Sequence, residues 1–282
     1  MGRLVGDLDR RHVAIAVDNL RRAFPDWGEG RLLRTARGVY AHFGSVLFDI
    51  LWLHGRSADE IRSLVEVEGR EHVERALAAG RGALMVTAHI GNWELHGVAH
   101  GLLFGAIGVV ARPLDNPELD RRLCALRTMW GNTVIYKERA LSQILRALRQ
   151  GRGVAILVDQ NVQAGDGIFV DFFGRKAATT TVAAALAAKT GCALVPCRTE
   201  LLPAGRYRLT YEPVVEWTPS GDRAADIACL TQRLTRSIEG WVRQTPEQWL
   251  WIHRRWKTRP PEERPAGTRL AAEPAEARRA EP

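Results

Sequence analysis

Cysteine is scarce and unpatterned in this chain. The four thiols, Cys124, Cys192, Cys197 and Cys229, include no C-x-x-C pair and no zinc spacing, which argues against a disulfide framework or a metal knuckle and fits a reducing, cytosolic setting. Long apolar runs are missing as well. The two nearest approaches are Val39 to Leu53, interrupted by His42 and Asp49, and Gly97 to Ala111, interrupted by His100 and several glycines. Both fall short of the roughly 20 residues that a bilayer crossing demands. Charges are scattered from Arg3 to Arg11 with no apolar stretch behind them, so no secretory signal is visible. There is no internal repeat, and no recognised nucleic-acid module accompanies the positive charge. If the protein meets a membrane, the expectation is that it does so from the side.

What is present is enough for one sizeable core: 282 residues, 46% of them apolar. The formal charge is +8, and the stretch from Arg259 to Pro282 contributes nothing to it, because its five Arg face five Glu. The folded part is therefore basic, which suits anionic partners such as phosphorylated lipid head groups or an acidic carrier protein.

Periodicity divides the chain. Val13, Val17, Leu20 and Phe24, then Leu33, Ala36, Tyr40, Phe43 and Leu47, recur at helical spacing, with Pro25 between the two sets. From Ala83 the pattern changes to short apolar runs alternating with helical segments, as in a sheet layered with helices. Strands are expected at Ala83–Ala88, Ile107–Ala111, Val154–Val158, Cys192–Cys197 and Tyr207–Tyr211. Helices are expected at Asn92–Phe104, Pro117–Trp130, Leu141–Gln150 and Arg223–Arg243. The organisation is one domain over 1–258, helical over about 8–80 and α/β over about 81–258, followed by a Pro-, Ala-, Arg- and Glu-rich tail, 259–282, expected to be disordered.

Three expected strands each run into a polar group: the first into His89, the second into Arg112, the third into Asp159 and Gln160. Ligands of open α/β sheets bind beyond the carboxyl ends of strands, so a base, a cation and an acid are candidates for one cleft. The first of these loops is His89-Ile90-Gly91-Asn92-Trp93-Glu94-Leu95. On an unbroken helix His89 and Glu94 would stand about 140° apart. A helix that starts between them, with Gly91 turning and Asn92 capping, lets Glu94 reach back to the imidazole. A carboxylate on one imidazole nitrogen fixes the tautomer and raises the basicity of the other, so that His89 can deprotonate an alcohol.

Other features compete. His96 and His100 share a helix face at metal-ligand spacing, without the H-E-x-x-H pattern and without a nameable third ligand. Arg127 borders an apolar stripe of Leu119, Leu123, Leu126 and Trp130, where it is either structural or a clamp for phosphate or oxyanion. Phe169, Phe172 and Phe173 are candidates for an acyl slot, Thr179, Thr180 and Thr181 for an anion-receiving helix start, and core packing accounts for the aromatics equally well. Trp249, Ile252, His253 and Trp256, read as one helix face beside Arg254, Arg255 and Lys257, suit either a membrane interface or a docked C-terminal helix.

Taken in order, Asn19-Leu20-Arg21-Arg22-Ala23-Phe24-Pro25, His89-x4-Glu94, Arg112-Pro113 with Asn116-Pro117, Asp159-Gln160, Phe172-Phe173-Gly174 and Trp251-Ile252-His253-Arg254-Arg255-Trp256-Lys257-Thr258-Arg259-Pro260 resemble the bacterial lipid A biosynthesis acyltransferase family of lauroyl and myristoyl type, relatives of the glycerolipid acyltransferases. The resemblance covers nearly the whole folded chain. It implies an α/β fold with a mixed central β-sheet, acyl carrier protein as donor with the acyl group on its phosphopantetheine, no further cofactor and no metal, and a hydroxyl of a lipid A precursor as acceptor. By the family pattern His89 and Glu94 are the catalytic pair, with Arg127 and Asp159 at further active-site positions. Asn92, Trp93, Arg112, Asn116, Gln160, Phe172, Phe173, Arg254 and Arg255 are expected to contact substrate.

Family members commonly carry a membrane helix just before the Asn-Leu-x-x-Ala-Phe-Pro segment. Here 18 residues precede Asn19 and none of them forms a span, so the expectation is a peripheral protein on the cytoplasmic face of the inner membrane, or a start placed late. The rival readings are the same chemistry on phosphatidylinositol mannosides, metal-dependent hydrolysis at His96 and His100, and nucleic-acid binding; the last is not expected, since only charge supports it.

Overall fold

The computed structural model describes residues 9–136 and 140–263. Helix α1 (Arg10–Ala23) starts where the Asp9 carboxylate accepts the His12 amide, and Ala16, Val17, Leu20 and Ala23 form its buried stripe. The chain breaks at Phe24 and Pro25, and α2 (Glu29–Leu53) follows, burying Leu32, Ala36, Val39, His42 and Val46. His42 Nε2 donates to the Gly91 carbonyl at 3.1 Å, so this second helix is tied to the loop that follows the first central strand.

Seven strands form the central sheet in the order β1 (Val65–Glu68), β9 (Tyr207–Tyr211), β8 (Ala193–Leu201), β2 (Ala83–Thr87), β5 (Gly153–Leu157), β3 (Ile107–Ala111), β4 (Thr133–Tyr136). The β8–β9 pairing is antiparallel and the others are parallel, so the sheet is mixed, as expected. Side chains of a strand alternate between faces. Accordingly Leu84 and Val86 of β2 enter one buried cluster while Ala83 and Met85 enter the other. One cluster is closed by α3 (Ala58–Leu64), α4 (Arg70–Ala78), α5 (Trp93–Phe104) and α6 (Pro117–Arg127). The other is closed by α7 (Ala140–Arg149), α8 (Val182–Thr190), α9 (Arg223–Gln244) and α1. The result is a three-layer α/β fold.

The strands expected from apolar runs are present within a few residues of their expected ends. Those the sequence hid are β1 and β4, which sit at the two edges of the sheet and are four residues long, too short for a periodic signal. A separate hairpin, β6 (Ile168–Phe172) with β7 (Arg175–Thr179), was also hidden. Its two-residue turn places Phe173 and Gly174 at φ 54° and 68°, a conformation that usually demands Asn-Gly or Gly-Gly. Phe173 is held there by its ring contacts with Phe24, Phe172 and Trp251 and by the Arg243 guanidinium 4.4 Å over its face.

The segment from Trp249 to Lys257 is not the expected helix. Trp249 bridges Ile90 in antiparallel fashion, the Leu250 amide donates to the His89 carbonyl, and Trp249, Trp251 and Trp256 are all buried. An extended, turning backbone distributes these rings into the core, where a helix would gather them on one face. The expected tail begins at 259, yet Arg259 donates to the Lys176 carbonyl; 264–282 lie outside the described residues.

Candidate active site

Strand register builds the centre of the site. β2 and β5 are parallel neighbours with Thr87 opposite Leu157, so the residues two positions beyond, His89 and Asp159, emerge side by side. The Asp159 carboxylate accepts from His89 Nδ1 at 2.8 Å and from the His89 amide at 2.9 Å, while the Trp249 indole donates to it at 2.8 Å. Burial works against the charge on Asp159, but the facing imidazole and these three hydrogen bonds outweigh it and hold the carboxyl at about 2. Burial likewise opposes protonation of His89; the Asp159 charge and hydrogen bond, with the charge of Glu94 behind them, prevail and raise its pKa above the usual imidazole value. With Nδ1 donating to Asp159, Nε2 is the nitrogen left to accept a proton.

The loop between His89 and α5 has no spare room. Gly91 has φ 59°, and a Cβ there would lie 1.7 Å from the Thr199 carbonyl oxygen. Gly91→Ala is therefore expected to destabilise the fold by roughly 3 kcal/mol or more. In a thermal melt that is a midpoint about 6 °C or more below that of the parent.

Glu94 does not reach His89 as expected. It sits in the first turn of α5, where Asn92 caps the helix through the Leu95 amide, but its carboxylate turns to the end of α6. Arg127 Nε donates to Oε2 at 2.8 Å and Nη2 to Oε1 at 2.6 Å, and the Trp93 indole adds a third donor at 3.1 Å. Both partners are nearly buried, with side-chain exposures of 6% for Glu94 and 13% for Arg127. In so dry a setting a fork-shaped guanidinium is the best partner for a carboxylate, and it outcompetes an imidazole that already has one. The pair leaves Nη1 of Arg127 uncommitted to Glu94. Trp93 packs edge-on against His89 at 5.1 Å between ring centroids, and its other neighbour is Phe43 at 5.7 Å.

His89, Trp93, Glu94 and Arg127 form the polar mouth of a cavity of about 370 Å³. Inward the walls turn apolar: Met85 of β2, Ile107 and Val109 of β3, Ala155 and Leu157 of β5, and Gly97 of α5. Arg112 and Gln160 stand at the rim, Arg112 paired with Asp115. His96 and His100 lie on the wall, fully buried, with burial pushing their pKa values down to about 4 and about 3. Each spends Nδ1 on a hydroxyl, His96 on Thr199 and His100 on Tyr211, both at 2.9 Å. Among the described residues no group of three or more His, Cys, Asp or Glu is placed to hold a metal ion.

Several residues expected to contact substrate do other work. Phe172 and Phe173 are core residues, packed with Trp249, Trp251 and Trp256, and do not line the cavity. Asn92 and Asn116 are helix caps: Asn92 is wholly buried, and Asn116 accepts the Glu118 and Leu119 amides at the start of α6. Arg255 is buried, donating to the Ala178 carbonyl and the Thr179 hydroxyl beside the Phe172 ring. Arg254 is exposed against α1, beside Arg11 and Arg22 and away from the cavity. The expected anion site at the start of α8 reduces to Thr180 accepting the Val182 amide. Conversely, Trp249 as a holder of Asp159 had no sequence signal beyond its place in an aromatic cluster.

Comparisons with known proteins supply the family. A family model described as bacterial lipid A biosynthesis acyltransferase matches residues 1–258. A lipid A biosynthesis lauroyltransferase of Escherichia coli K12 is 31% identical over 266 residues, covering 92% of this chain and 84% of its own length. A lipid A biosynthesis palmitoleoyltransferase of the same strain is 28% identical, covering 89% of this chain and 80% of its own. A phosphatidylinositol mannoside acyltransferase of Mycolicibacterium smegmatis is also 28% identical, covering 88% and 78%. The family match over residues 1–258, in a chain whose imidazole is held by a buried carboxylate beside an apolar slot, makes the protein an acyltransferase that belongs to the bacterial lipid A biosynthesis acyltransferase family.

Proposed function

We propose that the protein moves a fatty acyl chain from an acyl carrier protein thioester to a hydroxyl of a phosphorylated lipid A precursor, at the cytoplasmic face of the inner membrane. The observation that carries this reading is the orientation of one ring: His89 Nδ1 is locked on Asp159 while the residue lines the mouth of an apolar slot. Nε2 takes the proton of the acceptor hydroxyl as its oxygen attacks the thioester carbon. The tetrahedral oxyanion meets Nη1 of Arg127 and the first amides of α5, whose helix start lies at the same mouth. Collapse breaks the C–S bond, and the imidazolium returns its proton to the leaving thiolate, so no acyl-enzyme is required. Glu94 acts through Arg127, fixing the guanidinium and adding negative charge beside His89. The acyl chain lies in the slot, and the phosphopantetheine of the donor supplies the only prosthetic group that the chemistry needs.

The test is transfer from acyl carrier protein thioesters of defined length to a tetra-acylated glucosamine disaccharide phosphate, read as the mass gain of one acyl group. The 28% identity to a mannoside acyltransferase justifies a parallel arm with phosphatidylinositol mannoside. Transfer to neither acceptor would overturn the proposal, and transfer to the mannoside alone would reassign the acceptor.

The slot itself predicts chain-length behaviour. Gly97 lines it, and a Cβ at that position would meet Val109 at 3.7 Å. Gly97→Leu is expected to lower kcat/KM for the longest accepted acyl chain by about tenfold or more, while shorter donors are spared. An equal loss across a donor series would place the acyl chain elsewhere.

A further inference from the structure

Helix α2 carries an outer face that its packing does not use. From Gly44 to Leu53 the only charged residue is Asp49, and its carboxylate turns inward to accept the Tyr207 hydroxyl. The outward positions of the same turns are Leu47 and Leu51, each 60% exposed, with Phe48 at 50% and Trp52 at 42%. Spacings of four place Leu47 over Leu51 and Phe48 over Trp52, so the four side chains form one continuous apolar strip. The strip continues onto α6. His54, just past the end of α2, bonds the Arg122 carbonyl through Nε2, and Leu119, 55% exposed, lies one turn before Arg122 on that helix. Leu114, tied by its amide to Asp120 of the same helix, adds a sixth exposed apolar side chain. Singly exposed leucines are ordinary, whereas six gathered on one face mark a contact surface.

We propose that this face of α2, with Leu114 and Leu119, seats the protein in the surface of a lipid bilayer and so aims the mouth of the active site at its lipid substrate. The substrate clause rests on the proposed function; the seating does not. Continuity with the mouth argues for a bilayer as occupant. Phe43 lies one turn before Leu47 on the same side of α2, and it packs on Trp93, which packs on His89. Arg112, which also lines the cavity, lies two residues before Leu114. A second copy of the chain on this face would crowd the cavity that Trp93 and Arg112 line, whereas a bilayer leaves it open to molecules that arrive from the membrane. The cations that flank the strip are already paired, Arg56 with Glu60, Arg112 with Asp115, and Arg121 and Arg122 with Glu118. Attachment is therefore by apolar insertion, with Arg56 stacked over the Trp52 ring at the water side. The formal charge of +8 adds long-range attraction to anionic head groups.

The test is sedimentation of the full chain with mixed phosphatidylcholine and phosphatidylglycerol vesicles, without any acyl donor or acceptor. Leu47→Ser/Leu51→Ser is expected to lower the partition coefficient by about tenfold or more at an unchanged melting temperature. Leu141→Ser, an equally exposed leucine at the start of α7 on the other side of the sheet, is expected to leave it unchanged. The proposal is overturned if the double variant binds as the parent does, if Leu141→Ser is equally damaging, or if the parent ignores vesicles. It is overturned as well if the parent is a dimer that the double variant dissolves, since the face then belongs to a second copy. Vesicle binding as expected, in a protein that transfers no acyl group, would sink the proposed function and leave this inference standing.

Discussion

His89→Ala is expected to cut kcat for acyl transfer by about 10²- to 10⁴-fold, the usual contribution of a positioned general base. The protein should still fold. Asp159 keeps its hydrogen bonds from the His89 amide and the Trp249 indole, so its carboxylate is not orphaned when the imidazole is removed. Circular dichroism and a melt close to that of the parent would establish this, and an unimpaired turnover number would remove His89 from the mechanism. The size of the loss also measures what remains. Arg127, the start of α5 and the slot are untouched by the substitution, so the residual rate reports binding and oxyanion stabilisation alone.

Asp159→Asn is expected to have a comparable effect on rate and a distinctive effect on pH dependence. The sign follows from the charge. His89 acts as a base only when neutral, and its pKa is raised above the usual imidazole value chiefly because Asp159 overcomes the desolvation of the ring. In the parent enzyme kcat/KM should therefore rise with pH along a limb whose midpoint lies above about 6.5. Asparagine removes the anion and leaves burial opposed only by the weaker effect of Glu94, so the midpoint should move to lower pH while the plateau drops by about 10²- to 10⁴-fold, through loss of the correct tautomer and of imidazolium stabilisation. A lowered plateau with the limb unmoved would mean that Asp159 supports the loop without tuning the base. The same carboxylate, held at about 2, contributes stability at neutral pH that is lost as pH falls from about 3.8 through about 2.

Much of this arrangement is legible in the sequence. The strands carrying His89, Arg112 and Asp159 were readable because buried parallel strands are near-continuous apolar runs, and their polar followers fall at the end of the sheet where ligands bind. Spacing failed at the question of which partner wins. Glu94 was within reach of His89, but the fold brings it Arg127 from 33 residues away and brings His89 the carboxylate of Asp159 from 70 residues away. No local pattern encodes that competition, which is settled by strand register and by the fork geometry of a guanidinium in a dry pocket. Asn92 is legible as a cap from the Gly-Asn turn that precedes its helix, and the structure agrees. Asn116, expected from the resemblance to contact substrate, is instead the cap of α6. The tryptophans pose a choice that composition leaves open, since Trp249 and Trp256 suit a membrane interface and a docked segment alike. The fold settles it for the core, which Trp249, Trp251 and Trp256 fill, while the exposed apolar face lies on α2 among residues whose periodicity announces only a helix.

One bond ties the order of synthesis to chemical competence. The indole that steadies Asp159 belongs to Trp249, 90 positions later in the chain, and the bridge between Ile90 and Trp249 fastens the same late segment to the loop that carries the base. A nascent chain that has emerged only as far as α9 already owns both the imidazole and its carboxylate, yet lacks the donor that aims one at the other and the aromatic plug around them. The finished geometry of the site thus waits for the last stretch of the chain to lock into place.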